Sequence, residues 1–425
     1  MREQGKSKCL PKAFLLKDRA FYGDGMAFLK VIPLEEALKV INSFPLEPKI
    51  EEIKLEEALG RVLVEDIESP IDVPPFDRAT VDGYAVKSKD TWKASETNPV
   101  KLKVVGEINA GDTPEIELKD EESIYISTGA PLPKGADAVI PFEEVDRENE
   151  WVIIYKPVYP DYGVMKAGAD IPKGKLLLKK GTRLGFKETA LLSAVGFEKV
   201  KVFAKPKVAV ISTGNEIILP GKKLKYGQIY DINGRAVSDA VRELGGEAYF
   251  LGIARDDRES LKEKILEGLK YDIIILSGGA SGGIRDLTAS IIEELGEIKV
   301  HGIAIQPGKP TIIGLIEGKP IFGLPGYPTS CLTNFTLLVA PLIKKLLGQS
   351  QEYRKVKKRL AHKVFSVKGR RQFLPVRIEN NKAVPILKGS GAVTSFIDAD
   401  GFIEVPENVE ILDEGEEVEV ILFGV

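Results

Sequence analysis

Between residues 207 and 346 the chain repeats one pattern: a short apolar run, a loop rich in glycine or aspartate, then an amphipathic stretch. KVAVIST, EAYFLGI, YDIIILS and KVHGIAI are apolar runs of strand length, separated by NGRAVSDAVRELGG, RESLKEKILEGL and DLTASIIEELG. A strand that is apolar along its whole length needs cover on both faces, and helices between the strands supply it. This part of the chain is expected to form an αβα layer around a doubly wound, mostly parallel sheet. TIIG and PIFG add strands, and YPTSCLTNFTLLVAPLIKKLL reads as one long closing helix.

With 425 residues the chain exceeds what one hydrophobic core organises, so this layer is one part of a multidomain α/β protein. Residues 1–25 differ in character from the rest of the chain and are expected to be a mobile extension or the product of a misplaced start. Residues 26–86 and 150–185 read as an elongated helical and β domain. Leu34, Ala37, Leu38 and Ile41 recur there at helical spacing, and a short helix Leu55–Gly60 ends on a glycine. Residues 87–149 read as an inserted β-rich domain, with strands such as KLKVVGEI and SIYIST. The αβα domain is expected over 186–348. A small C-terminal antiparallel barrel or sandwich over 349–425 is built from AHKVFSVK, QFLPVRI, KAVPIL, GFIEVP and EVEVILF.

Composition excludes several classes. No run of eighteen apolar residues crosses a membrane, and no cleavable leader is visible. Two cysteines cannot build a disulfide framework, which fits a cytoplasmic protein. The net charge of −3, without a dense basic tract, argues against nucleic acid as a partner. His301 and His362 are the only histidines, so histidine triads and multi-histidine metal sites are nearly excluded. The wealth of Lys and Glu fits a thermophile, and genomic composition bias accounts for it equally well.

In a doubly wound sheet ligands bind beyond the carboxyl ends of the strands. Two glycine-bearing loops fall there, Ser212–Glu216 and Ser277–Gly283, the second holding Ser277, Gly278, Gly279 and Ser281. Free amides at such a loop suit a phosphate, although a plain βα loop has the same composition. Asp286 precedes a helical run, where an aspartate is most often an N-cap. Asp256 and Asp257 end another strand, either as caps or as part of an acidic cluster. Gln306–Pro310, with Lys309, and Gly323–Pro328, with Pro325 and Pro328, should line the same edge. Asp77 and Asp82 sit in a proline-bounded stretch, where turn-forming aspartates are commoner than catalytic ones.

The ordered elements PPFDRATVDGYAV, SIYISTGAPLPKGADAVIPFEEV, ISTGNEI, YGQIYDING, SGGASGGIRDLT, QPGKP and GLPGYP resemble the MoeA/gephyrin E-domain family, the molybdopterin molybdenumtransferases. The resemblance runs from Met26 to the C-terminus and is strongest over 207–340. It implies an elongated homodimer of four-domain chains with a cleft shared between subunits. The substrates would be adenylylated molybdopterin and molybdate, or tungstate, and AMP would be released with Mg²⁺ or a similar cation. The molybdopterin adenylyltransferase and cofactor-accepting enzymes are the implied protein partners. Position by position, Asp82 falls in the DGYA element, Thr128 in TGA, and Asp170 ends the G-E-D element. Asp256 is the first of the strand-end aspartates, Asp286 that of the glycine-rich loop, and Lys309 the second lysine of K-P-G-K-P. Pro325 and Pro328 are the prolines of G-L-P-G-N-P. Asp256 and Asp286 are then expected to serve cation and adenylate, with Asp82 as a further catalytic candidate. Ser277, Gly278, Gly279, Ser281, Lys309, Pro325 and Pro328 would hold phosphate or pterin. Asp82, Thr128 and Asp170 would face the partner subunit.

The chain departs from the family pattern at Ala79, Met165, Ala169, Ile284, Gly302, Gln306 and Tyr327, several of which replace charged, anion-contacting groups. Three readings are open: an active transferase, a non-catalytic molybdopterin-binding carrier or scaffold, and a nucleotide hydrolase. The last does not account for the DGYA and TGA elements.

Overall fold

The computed structural model describes residues 31–278, 282–350, 353–389 and 391–423, with the backbone alone at 282–286. The chain is a multidomain α/β protein whose centre is a six-stranded sheet. Its strands are β1 (Lys207–Thr213), β2 (Glu247–Ala254), β3 (Ile273–Gly278), β4 (Glu297–His301), β5 (Ile312–Ile316) and β6 (Lys319–Leu324). The order across the sheet is β2-β1-β3-β6-β5-β4. β2, β1, β3 and β6 run parallel, while β5 and β4 complete one edge antiparallel. Helices α1 (Asn233–Leu244), α2 (Arg258–Gly268) and α3 (Gly282–Leu295) connect the strands, and α4 (Pro328–Asn334) comes after β6.

The continuous apolar runs are two alternating patterns superposed. Val208, Val210, Ile273 and Ile275 share a core with Val237 and Val241 of α1 and with the helical segment after β6. Ala209, Ile211, Ile274 and Leu276 pack on the other face with Leu261 and Ile265 of α2 and Ile291 and Ile292 of α3. Period-2 side chains in strands buried on both sides produce this division.

The closing helix is not continuous. A π-helical turn, Phe335–Val339, separates α4 from a last helical piece, Ala340–Leu346. Pro341 is the cause visible in the sequence: it has no N–H to give, and its ring crowds the carbonyl four residues back. The run KVHGIAI also divides. Its first half is β4, whereas Ile305–Gln306 leaves the central sheet and pairs in parallel with Arg371–Gln372.

Residues 355–422 close into a five-stranded barrel through the pairing of Arg371–Glu379 with Gly401–Val405. One of its strands, Lys355–Leu360, escaped the sequence reading. Lys355 and Lys357 face outward and pair across to Glu419 and Glu417, and with Lys358 they hide the apolar positions Val356 and Leu360.

The N-terminal half runs out and back. Ile50–Lys54 pairs with Lys199–Phe203, Ile67–Glu68 with Leu176–Leu178, and Arg78–Ala79 with Val164–Met165. Helix Phe186–Ala194 contributes Leu192 to a core with Ile53, Leu63 and Val202, so residues 186–203 pack here and the αβα layer starts at Lys207. The expected helix after Lys54 is only a 3₁₀ turn, Leu55–Glu57. The β-rich insert is a six-stranded sheet that takes in Gly83–Val86 as an inner strand and Trp151–Ile154, beyond the 87–149 span on both sides.

Helix Leu34–Asn42 does not join the extended half. Its buried Leu34, Ala37 and Ile41 enter the central core beside Val300, Ile303 and Phe335. Ile41→Ala is therefore expected to destabilise the αβα layer by about 2–4 kcal/mol. Denaturant unfolding would check this, and an unchanged midpoint would show that the helix is peripheral.

A candidate active site at the carboxyl edge of the central sheet

The loops leaving β1, β2, β3 and β6 meet at one edge. Thr213, Gly214, Asp256, Gly278, Gly326, Tyr327 and Pro328 border a cavity of about 1380 Å³ that extends along α1 towards the barrel. A second cavity, of about 680 Å³, lies between this edge and the barrel and is bordered by Gln306, Lys309, Pro325, Arg370, Gln372 and Lys388. Tyr327 borders both.

The larger cavity has an acidic side. Asp256 comes just after β2, and its Oδ2 accepts from the Asn215 backbone amide at 3.1 Å. Its other carboxylate oxygen is buried and without a hydrogen-bond partner. Burial pushes the Asp256 carboxyl above its ordinary range against the Asn215 bond, and the charges of Glu216 and Asp257 add to the rise. An orphaned carboxylate oxygen beside a second acid suits a divalent cation, which would satisfy both charge and lone pair. Among the described residues no group of three His, Cys, Asp or Glu gathers closely enough to form a complete metal cage. Asp257 has the other role open to it: its carboxylate accepts from the Ser260 amide at 2.8 Å and caps α2.

Two glycines fix the loops. Gly278 has φ +138°, and a Cβ there would lie 2.1 Å from the Thr213 carbonyl oxygen, so β1 and β3 approach closely only with glycine. At Gly308, φ +112°, a Cβ would strike the Asn334 side chain, whose amide donates to the Gly308 carbonyl at 2.9 Å. That bond sets the loop carrying Lys309.

Several expected site residues sit elsewhere. Ser277 is buried, its hydroxyl 3.4 Å from Cys331 Sγ, and it borders neither cavity. Alternation along β3 turns it inward and leaves only the backbone of Gly278 at the cavity. The same interior position pushes the Cys331 thiol up to about 12. Asp286 lies within α3, past its first turn, so it does not occupy the N-cap; its side chain, like Gly279 and Ser281, lies outside the described residues. Lys309 and Pro325 border the smaller cavity rather than the one with Asp256, and Pro328 borders the larger.

Asp82 and Thr128 are joined on the inserted sheet. Asp82 Oδ1 accepts from the Thr128 amide at 2.6 Å and from its hydroxyl at 2.9 Å. These bonds hold the carboxyl below its ordinary range. Stability from this link is present above the usual carboxylate range and is lost as pH falls through the lowered value. Thr128→Val, which removes the hydroxyl, should move the Asp82 titration partway back, as read by carboxyl NMR. An unmoved titration would leave the backbone amide as its sole determinant. Asp170 is exposed on the extended half, its amide donating to the Val73 carbonyl at 3.1 Å. Asp82, Thr128 and Asp170 border neither cavity of their own chain.

Sequence reasoning assigned no role to Asp231 or Asn233, both almost fully buried at the cavity wall. Asp231 accepts from the Ser212 hydroxyl at 2.9 Å and the Gly234 amide at 3.0 Å, tying the β1 loop to the start of α1. The Asn233 amide donates to the Gly326 carbonyl at 2.8 Å, while its carbonyl oxygen has no partner. Their signal was the element YGQIYDING, in which Asp231 precedes an amphipathic helix and Asn233 opens it.

A parallel α/β layer with a loop-built pocket at its carboxyl edge, joined to a barrel and an extended β-rich half, is the architecture of a multidomain ligand-binding protein. Residues 32–196 match the model for the MoeA N-terminal region (domain I and II), and 209–345 that described as "Probable molybdopterin binding domain". Residues 357–423 match the MoeA C-terminal region (domain IV). The molybdopterin molybdenumtransferase of Bacillus subtilis is 33% identical over 404 residues, covering 92% of this chain and 94% of that protein. The Haemophilus influenzae molybdopterin molybdenumtransferase is 36% identical, covering 74% of this chain and 77% of its own. Two crystal structures of molybdopterin biosynthesis MoeA proteins from Pyrococcus horikoshii each cover 93% of this chain and 100% of their own. They are 67% and 36% identical, with TM-scores of 0.86 and 0.73. The chain belongs to the MoeA family.

Proposed function

We propose that this protein is a molybdopterin molybdenumtransferase, which places molybdenum from molybdate onto adenylylated molybdopterin and releases AMP. The observation that carries the reading is the unpaired, buried oxygen of Asp256 in the cavity that Gly278 also borders, next to a cavity of opposite character. In that smaller cavity no ion pair among the described residues neutralises Lys309 or Arg370. Thr329 Oγ1 and Gln372 Oε1 there are buried without partners. The substrate has matching parts, a phosphoryl group that wants a cation and an oxyanion that wants lysine and arginine.

Asp256, with Asp286 by family correspondence, would hold Mg²⁺ or a similar cation. That cation, when bound, would offset phosphoryl charge and polarise the bond to be cleaved. The Gly278 backbone gives the phosphate close approach, and Asn233, anchored on Gly326, shapes the cavity wall. Lys309 and Arg370 hold the oxyanion, whether molybdate or tungstate. Asp82, Thr128 and Asp170 are reserved for a second copy of the chain, whose corresponding face would complete the cleft in a homodimer.

A carrier that binds molybdopterin without catalysis is favoured by one observation: Gln306, on the wall of the smaller cavity, is neutral where the family carries lysine. Incubation with adenylylated molybdopterin, Mg²⁺ and molybdate or tungstate, with AMP as the readout, separates the two. AMP release supports the enzyme, binding without it the carrier, and absence of binding removes both. Asp286→Ala should abolish AMP release with the fold intact.

A further inference from the structure

We propose that Tyr327 is a substrate-binding residue whose ring offers a stacking face to a planar heterocycle of the substrate between the two cavities. The proposal rests on the transferase reading of this site and adds to it the way a flat ring is held. Tyr327 is 57% exposed although its neighbours Leu324 and Pro325 are buried. A lone exposed aromatic is ordinary on a protein surface. This one borders both cavities, the one that holds Asp256 and the one that holds Lys309 and Arg370.

Its backbone is held from two directions. The preceding Gly326 carbonyl accepts from the Asn233 side chain at 2.8 Å, and the Tyr327 carbonyl accepts from the Cys331 amide at 2.9 Å. The ring is seated against the barrel domain at Gly391, where a Cβ would lie 3.3 Å from two ring carbons. Ring and support thus come from different domains, and the support is a residue without a side chain. A substrate that reaches from Asp256 to Lys309 and Arg370 passes Tyr327, and it carries a flat ring system at either end, adenine and pterin, that this aromatic face can meet. Offset stacking is how an aromatic side chain holds such a part without reading its hydrogen-bonding edges.

The test uses the full chain and two probes, AMP and a free pterin, with pterin fluorescence quenching and equilibrium titration as readouts. Tyr327→Phe should bind both about as the wild type does. Tyr327→Ala should bind at least one roughly tenfold more weakly and lose the quenching, a loss typical of removing one stacking partner. Gly391→Val, which pushes on the ring from its seat while leaving residue 327 unchanged, should weaken binding in the same direction. Thermal midpoints of the three variants identify any that fail to fold. Equal binding and quenching by wild type and Tyr327→Ala overturns the stacking role and leaves the transferase reading standing. A wild type that binds neither probe overturns both. In turnover, Tyr327→Ala should raise KM far more than it lowers kcat, whereas a purely structural residue would move the midpoint with them.

Discussion

Asp256→Asn should lower the rate of AMP release by roughly 10²–10³-fold while leaving the protein as stable at neutral pH as the wild type, or more so. The rate loss has the size of removing one electrostatic contact to a reacting phosphoryl group. The stability outcome comes from the direction of the titration. Burial raises the Asp256 carboxyl, so its contribution favours the fold below the ordinary carboxylate range and is lost as pH rises through the folded value. At neutral pH the ionised carboxylate, with one oxygen buried and unpaired, is a cost to the fold. Asparagine keeps an oxygen to accept from Asn215 and removes the charge. The variant's advantage should shrink as pH falls through the raised folded value and be gone below the ordinary carboxylate range. Added Mg²⁺ should raise the melting midpoint of the wild type alone, since a ligand of the native state stabilises it by mass action. Parallel loss of fold and activity would show that Asp256 is structural.

Gly278→Ala is the second change expected to have a large effect, and it acts through the backbone. The new methyl would meet the Thr213 carbonyl and hydroxyl at 2.1 and 2.4 Å, at a φ that side chains rarely adopt. Strain and overpacking together predict a loss of at least about 2 kcal/mol. Because β1 and β3 would part where the cavity begins, AMP binding should fall as well. Denaturant titration and calorimetry of AMP binding measure the two effects. A variant that binds and unfolds like the wild type would mean that the strand ends yield freely, and that the glycine is not needed for their approach.

The sequence carried the central layer plainly because burial on both faces leaves no polar positions to blur KVAVI or YDIIIL. It was misleading wherever a side chain's direction depended on tertiary placement. KVHGIAI has the composition of one strand, yet its two halves serve different sheets, and the exit falls at Gly302, whose φ of +102° ends β4 after His301. The same divergence carries Lys309 into a cavity apart from Asp256, although both come after strands of one layer. Ser277 opens the glycine-bearing loop in the sequence, but β3 runs on to Gly278, and the parity of the strand turns Ser277 to face Cys331. Lys355–Leu360 went unread because its ion-paired lysines look like loop. Asp256 was visible as a strand-end acid, but only the fold shows that one of its oxygens lacks a partner.

The segment Ile305–Gln306, which quits one sheet to lengthen another, has a mechanical meaning. Arg371, the residue opposite its first position, also forms ion pairs with Glu35 of the opening helix and with Glu404 of the barrel. Three parts of the polypeptide are thereby riveted at a single guanidinium and one short ladder. A hinge between the αβα layer and the barrel at this joint would have to break both, so the set of the barrel against the layer is tied to the ion pairs of Arg371.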